Sequence, residues 1–436
     1  MSETLIKRAS KWVGNIPSGW SLTPLKYVCT YNDETLSDKT DPTFEFDYID
    51  ISSVNSTDEI TSTERLNFAD APSRARRVVR ADDIIMSTVR TYLRAVAIIP
   101  ESKNQLIAST GFLVIRALQE SITPEYLGYV IKSDSFISAI EAESVGVSYP
   151  AINASEAVKN YIPVPPLDVQ RSIVAFLDSR CKPINEAIAR HRMIIDKLED
   201  YRKAVITKAV TKGLDESAPM KDSGIEWIGS MPANWSTTKL KFLCMSHNGV
   251  DYNSQDLCNQ NDDNSLFVIR SSNLVNGAVV HGDDVYINKP VPKNMLLRKG
   301  DLVIVRTNGS RRLVGKCALV TKNEKATAGA FMLICRSSLN PYIYWVLNSS
   351  LLSFHRGHFD TTTINQMSNE MLKNMIIPLP PHEQMIDIMT YLDYKCAAIN
   401  EGVNRQEQVI ARLEEYRRSL IFHAVTGRID CTGGAC

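Results

Sequence analysis

Apolar residues recur at heptad-like spacing in two stretches of this chain, and the two stretches are copies of each other. The first series is Ile184, Ile188, Ile195, Leu198 and Val205; the second is Ile399, Val403, Ile410, Leu413 and Leu420. Such spacing puts one apolar stripe on an α-helix and leaves its other faces polar. His191 and Arg202 interrupt the first stripe, Gln406 and Arg417 the second. The flanks repeat too. Ile162-Pro-Val-Pro-Pro-Leu-Asp leads into the first stretch and Ile377-Pro-Leu-Pro-Pro-His-Glu into the second. Leu198-Glu-Asp-Tyr-Arg202 with Ala209-Val-Thr-Lys-Gly213, and Leu413-Glu-Glu-Tyr-Arg417 with Ala424-Val-Thr-Gly427, close them. Most landmarks are offset by 215 residues, so the chain is one unit written twice.

Pro165-Pro166 and Pro380-Pro381 end an extended segment and admit a helix, because proline lacks the amide a strand ladder needs and fits a helix's first turn. From Pro183 to Thr211 the helix is about 43 Å long at 1.5 Å per residue. Pro183 is expected to start that helix or kink a longer one, and Gly402 is the matching weak point in the second copy. Gln170 precedes Asp178 by eight residues and Gln384 precedes Asp393 by nine, which predicts slightly different helix starts. The partner for each apolar stripe is the other copy, packed antiparallel.

Between the helical stretches, short apolar and β-branched runs predict strands. Tyr48-Ile-Asp-Ile and Leu266-Phe-Val-Ile are each followed by Ser-Ser or Arg-Ser-Ser. Asp83-Ile-Ile-Met-Ser-Thr-Val-Arg90 and Asp301-Leu-Val-Ile-Val-Arg-Thr-Asn308 run into arginine-bearing loops, and Leu113–Arg116 and Met332–Cys335 follow Gly111 and Gly329. Pro124 and Pro341 open shorter helices. Each copy begins with a tryptophan-flanked turn, Trp12 to Trp20 and Trp227 to Trp235, then Leu25-Lys-Tyr-Val-Cys29 or Leu240-Lys-Phe-Leu-Cys244. The loops over residues 30–45 and 246–265 are unalike. The fold class read from this is α+β and internally duplicated: two strand-rich globular domains separated by two long antiparallel helices with pseudo-two-fold symmetry. The boundaries are residues 1–164 and 215–379 for the domains, 165–214 and 380–428 for the helical regions, and 429–436 for a tail.

Composition changes this picture little. With 44% hydrophobic and 22% charged residues, the chain is an ordinary globular protein. It has no apolar run long enough to span a membrane and its N-terminus carries no signal core, so a cytoplasmic location is expected. Nine scattered cysteines without a C-x-x-C pair predict neither disulfides nor zinc; Cys29, Cys244, Cys181 and Cys396 read as small buried apolar residues. Net charge is zero, yet seven arginines crowd Arg65 to Arg94, and Arg298, Lys299, Arg306, Arg311, Arg312 and Lys316 form a second cluster. The two clusters are expected to occupy corresponding places and to face an anionic partner.

Catalytic constellations are missing. Gly309-Ser-Arg-Arg-Leu-Val-Gly-Lys316 has five residues between its glycines where a phosphate-binding loop needs four, and Cys317 replaces the magnesium-binding hydroxyl. Asn340-Pro-Tyr342 is one proline short of the base-amino-binding motif of adenine methyltransferases and fits a helix start. The histidines show no metal-ligand spacing beyond His355/His358, which reads as a surface pair.

Asp222-Ser-Gly-Ile-Glu-Trp-Ile-Gly229, Asp83-Ile-Ile-Met-Ser-Thr-Val-Arg-Thr-Tyr-Leu-Arg94, Pro165-Pro-Leu-Asp-Val-Gln170 and the repeated Leu-Glu-Asp/Glu-Tyr-Arg…Ala-Val-Thr ends resemble the specificity subunits of type I restriction–modification systems. The resemblance runs over nearly the whole chain. It implies two target recognition domains, each reading half of a bipartite, asymmetric site on double-stranded DNA. It further implies helices that set the spacing and dock two modification (methyltransferase) subunits, with a restriction (motor/nuclease) subunit joining the complex. S-adenosylmethionine and ATP would belong to those partners; this chain would hold no cofactor and no metal and would not be an enzyme. A helical interaction scaffold that reads no DNA is the rival reading, favoured by the neutral charge.

Clustered cations and hydroxyls suit phosphate oxygens, which set register without reading sequence. Arg74, Arg76, Arg77, Arg80 and Thr88 are the candidates in the first copy, with Lys299, Ser310, Arg311, Arg312 and Lys316 as counterparts. Base edges need bidentate donors or close polar contacts. Arg90, Tyr92 and Arg94, then Arg306, Asn308 and Asn365, are expected to read, with Tyr149, Thr361, Thr362 and Thr363 in the closing loops. The competing role for Arg90 and Arg94 is ion pairing with Asp82 and Asp83.

Overall fold

The computed structural model describes residues 13–54, 60–146, 150–355 and 366–431. Trp12, Tyr149, His358, Thr361, Thr362, Thr363 and Asn365 therefore lie outside the described residues. The chain forms two compact units, one of residues 1–192 with 407–436, the other of residues 193–406.

In unit one, strands Cys29–Tyr31, Phe112–Ala117, Ile84–Ser87 and Val96–Ile98 form an antiparallel sheet in that order. A second sheet runs Glu64–Asn67, Glu45–Ile49, Leu106–Ser109, Ala75–Val79, its central pair parallel. Ile84–Ser87 is buried on both faces, which explains its unbroken apolar run. Ile84 and Met86 pack into one core with helix α1 (Pro124–Lys132), while Ile85 packs into another with Ile49, Ala108 and Val114. The alternation is the two-residue period of a strand serving two layers. Helix α1 starts where the sequence says: Pro124 occupies its first turn, and the Thr123 hydroxyl accepts from Tyr126 N at 3.3 Å.

Unit two repeats the plan. Met245–Asn248, Met332–Arg336, Leu302–Val305 and Cys317–Leu319 continue through Ala278–Val279 to Leu274–Val275 in a six-stranded sheet. Leu257–Cys258, Val285–Ile287, Leu266–Ile269 and Ala326–Ala328 form the second sheet, again with one parallel pair. Leu302 and Ile304 face one core and Val303 and Val305 the other. The Asn340 side chain, buried at its helix start, donates to Gly300 O and Cys335 O at 2.8 Å each.

Helix α2 spans Leu167–Lys212 and helix α3 His382–Val425, and each contributes one part to each unit. Pro183 lies inside α2 and neither starts nor ends it. One missing amide costs a single turn of hydrogen bonding, and Ile184 and Ile188 are buried immediately beyond it. The helix starts, Leu167 and His382, keep the 215-residue offset, so the glutamines do not shift them. Instead the glutamines differ in role. Buried Gln170 accepts from Thr123 N (2.8 Å) and donates to Ser121 O (3.0 Å) and Pro165 O (2.8 Å). Gln384 accepts from the Trp235 indole at 2.7 Å. Within unit one the helices run antiparallel: Arg417 donates to Asn185 Oδ1 at 2.9 Å and Arg192 pairs with Glu414 at 3.2 Å. Gly213 and Gly427, both at positive φ, terminate the helices in conformations that favour glycine.

Candidate nucleic-acid interface

Hydrogen bonding between backbones gathers the loops of unit one at one end of its sheets. Thr88 N donates to Gly111 O (2.8 Å), Thr110 N to Arg74 O (2.8 Å), Arg90 N to Pro150 O (2.8 Å) and Ile152 N to Thr88 O (3.0 Å). Arg90 and Arg94 both adopt the left-handed conformation, φ 52° and 55°, at the two ends of the turn Thr91–Leu93. Left-handed backbone is costly for residues with side chains and concentrates at functional positions. The turn presents Tyr92 and Leu93, 52% and 50% exposed, while Thr91 is buried and bonds Ser144 at 3.1 Å.

Unit two builds the same end from different residues. Arg306 N donates to Phe331 O (2.8 Å) and Met367 N to Arg306 O (2.9 Å), matching the bonds of Thr88 with Gly111 and Ile152. The Arg306 guanidinium donates to the Gln366 amide oxygen, 3.0 Å from Nε when the amide is turned to face it. Asn308 donates to Ser271 Oγ (3.3 Å) and accepts from Ser310 N (2.9 Å). Arg311 and Arg312 are exposed in the short turn that follows, and Phe331 is 69% exposed. Arg306, Asn308, Ser310, Arg311 and Arg312 thus share one loop, and Lys316 ends it beside the next strand.

Several expected residues stand elsewhere. Each basic cluster straddles the equivalent strand, but the phosphate candidates do not correspond: Arg74, Arg76, Arg77 and Arg80 precede Ile84–Ser87, whereas Ser310, Arg311, Arg312 and Lys316 follow Leu302–Val305. The true counterpart of Arg80 is Arg298, since Arg80 N bonds Asp83 at 2.9 Å and Arg298 N bonds Asp301 at 2.8 Å. Arg80 and Lys299 therefore lie at the far end of the sheets from the loops. Thr88 is buried and its hydroxyl donates inward to Gly111 O at 2.9 Å, so it presents nothing to a phosphate. Arg77 is half-buried; burial lowers its pKa, and its terminal nitrogen reaches Thr35 at 3.2 Å. Arg76 lies over the Phe68 ring, 4.6 Å from its centre.

Arg74 does sit at the loop end, bonded to Tyr48 Oη at 3.2 Å and paired with Asp50 at 2.9 Å. Arg94 pairs with Asp134 and, at 3.6 Å, with Glu141, not with Asp82 or Asp83. Asp83 is engaged by Arg116 through two bonds of 2.8 Å, and Asp301 by Arg336 at 2.8 and 2.5 Å. This pair of a buried carboxylate and a partly exposed guanidinium, present in both units, ties the strand start to its neighbour and was not anticipated. Its trace was visible: Asp83 and Asp301 head matching strands. Leu93, Phe331 and Gln366 were also missed, because no single-residue rule marks a loop apolar residue as outward-facing.

Among the described residues no cluster of His, Cys, Asp and Glu could hold a metal ion, and no helix is long and apolar enough to cross a membrane. Burial pushes the Cys29 and Cys317 thiols up to about 12, which disfavours thiolate chemistry at either.

Residues 17–192 match the family model of the type I restriction modification DNA specificity domain. The chain is 25% identical over 206 residues to the type I restriction enzyme StySPI specificity subunit of Salmonella potsdam, a match covering 46% of this chain and only 44% of that protein. It is 26% identical over 318 residues, 70% of each chain, to the type I restriction enzyme MjaVIII specificity subunit of Methanocaldococcus jannaschii. A chain solved in work on complex assembly and conformational transition of the type I R-M system has the same fold. It superposes with a TM-score of 0.60 at 24% identity, covering 95% of this chain and 100% of its own. Over these stretches the chain is similar to type I restriction–modification specificity subunits.

Proposed function

We propose that this chain is the non-catalytic DNA sequence-specificity subunit of a type I restriction–modification complex. Residues 1–164 and 215–379 would each read one half of a bipartite, asymmetric duplex target. The observation that carries this reading is the loop end repeated in both units: one backbone frame presents Arg90, Tyr92 and Arg94 in the first and Arg306, Asn308, Arg311 and Arg312 in the second. Different side chains on one frame suit two unequal half-sites. Arginine and asparagine have the forked donors that guanine and adenine edges require. The surface ion pairs of Arg74 and Arg94 are exposed, so phosphate competes for them at little cost. The closing loops with Tyr149, Thr361, Thr362, Thr363 and Asn365 would complete the two surfaces.

Residues 165–214 and 380–428 would space the half-sites and dock two modification subunits. Exposed Ile194 and Tyr201 in unit two, and Val409 and Tyr416 in unit one, recur at seven-residue spacing on helix faces outside the buried seam. S-adenosylmethionine and ATP would sit on the modification and restriction subunits, and the complex would work in the cytoplasm. The test is genome-wide mapping of modified adenines in cells with and without this chain, its modification partner present in both. Modification at one split motif only when the chain is present supports the reading; an unchanged pattern overturns it.

A further inference from the structure

The far end of each unit carries a feature that the loop end does not explain. Leu25–Tyr27 and Leu240–Phe242 form matching single turns, the first between strands Ser21–Pro24 and Cys29–Tyr31, the second between Ser236–Lys239 and Met245–Asn248. The leucine of each is buried in the core, and the turn is clamped by Leu25 N to Asn160 O (2.9 Å) and Leu240 N to Met375 O (3.0 Å). A second bond closes each turn, Val28 N to Leu25 O (3.0 Å) and Leu243 N to Leu240 O (2.9 Å). From this rigid base the next two residues project outward. Tyr27 is 64% and Phe242 72% exposed. Lys26 Nζ stands 5.0 Å from the centre of the Tyr27 ring and Lys241 Nζ 5.1 Å from that of Phe242.

Neither unit needs an exposed ring here for its core. The flanking loops, residues 30–45 and 246–265, have diverged, yet both copies keep aromatic plus lysine in the same geometry. The turn lies at the opposite end of the sheet from the loops. Cys29 pairs with Ala117, at the opposite end of Phe112–Ala117 from Gly111, and that strand is about 17 Å long at ~3.4 Å per residue. Met245 pairs with Arg336 in the same sense. A preorganised aromatic beside a cation is the composition of a protein-binding anchor.

We propose that these two turns are docking points for the two modification subunits, one per unit, each accepting the ring into an apolar recess rimmed by carboxylates that meet Lys26 or Lys241. A surface written once in each repeat calls for a partner present twice. The inference rests on the function proposed above, which supplies such a partner, and adds a contact distinct from the helix faces.

The test titrates the full-length chain with its modification subunit, reading stoichiometry by native mass spectrometry and affinity by calorimetry. Tyr27→Ala with Lys26→Glu should weaken one of two bound copies at least tenfold, Phe242→Ala with Lys241→Glu the other, and all four together both. Tyr27→Phe and Phe242→Tyr should bind as wild type. Unfolding temperature should be unchanged, since every altered side chain is exposed; the charge-only pair Lys26→Glu/Lys241→Glu serves as the milder variant. Two copies retained at wild-type affinity by the fourfold variant overturns the docking assignment and leaves the DNA-reading function standing. A wild-type chain that takes up no modification subunit overturns both.

Discussion

The two strand-rich domains agree where a side chain is buried in the frame and differ where only the backbone is used. Asp83–Arg116 and Asp301–Arg336 are the same ion pair at the same strand start. Tyr126 and Tyr342 donate to Pro163 O and Pro378 O at 3.1 and 3.0 Å, joining the helix after the sheet to the strand before a long helix. At the loop end, by contrast, Thr88 corresponds to Arg306, Gly111 to Phe331 and Arg90 to Asn308, although the peptide hydrogen bonds of Thr88 and Arg306 match. A backbone N–H and C=O pair in the same way whatever residue carries them. The frame thus holds the loops in place without dictating their side chains, which is what two recognition surfaces on one scaffold require.

The strongest way to break the equivalence is at the shared ion pair. Removing one member of a buried pair typically costs about 3–5 kcal/mol. Asp301→Ala should lose stability toward the lower end of that range in denaturant unfolding, because Arg336 is partly exposed and, among the described residues, retains only carbonyl partners, Asn294 O and Leu296 O. Asp83→Ala should lose less, since Arg116 keeps Glu34 at 3.0 Å and Asp33 at 3.6 Å. Equal losses would show that these extra carboxylates do not compensate.

The long helices differ next. Pro183 in α2 corresponds to Ala398 in α3, and Gly402 in α3 to Ala187 in α2. Pro183→Ala should raise stability by up to ~3 kcal/mol, read as an increase in unfolding midpoint. At the loop end, Arg90→Ala and Asn308→Ala should each cost about 1–3 kcal/mol of discrimination at a base of one half-site, measured by competition among duplexes altered in one half at a time. Loss in both halves from either change would contradict separate reading. Gly402→Ala should stabilise by about 1 kcal/mol, because a methyl there meets Leu198 at an ordinary 3.5 Å.

The smallest effect concerns pH. His281 of unit two bonds Asp284 at 2.8 Å and Glu324 at 3.2 Å, and its pKa is raised, chiefly by the Asp284 bond. A folded pKa above the unfolded one adds stability that is complete below the unfolded value, near 6.5, and disappears as pH rises through the folded value. The pair is solvent-exposed, so the contribution is at most ~1 kcal/mol. His281→Gln should flatten the pH dependence of unfolding between about 6 and 8.

Much of the architecture was legible because burial imposes a local period. Ile84–Ser87 and Leu302–Val305 read as strands since both faces are covered, and the helical stretches read as helices since a seam is buried. Of the two roles expected for Pro183, starting the helix is excluded: its local penalty is real, but the helix runs through it, with Ile184 and Ile188 buried immediately beyond. The phosphate candidates of the two copies fail to correspond for a different reason. Counting arginines along the chain ignores which end of a strand they occupy, and Arg80 and Arg90 flank one strand from opposite ends.

By itself the sequence determined that the chain is a duplicate and that each copy joins a strand-rich domain to a long helix. Periodicity and repetition record those facts residue by residue. Only the tertiary structure decided which side chains are committed and which face outward. Arg116 finds Asp83, Arg94 finds Asp134 and Arg306 finds Gln366 across tens of residues of intervening chain. An ion pair or a hydrogen bond depends on distance in space, and distance along the chain does not encode it until the strands have paired.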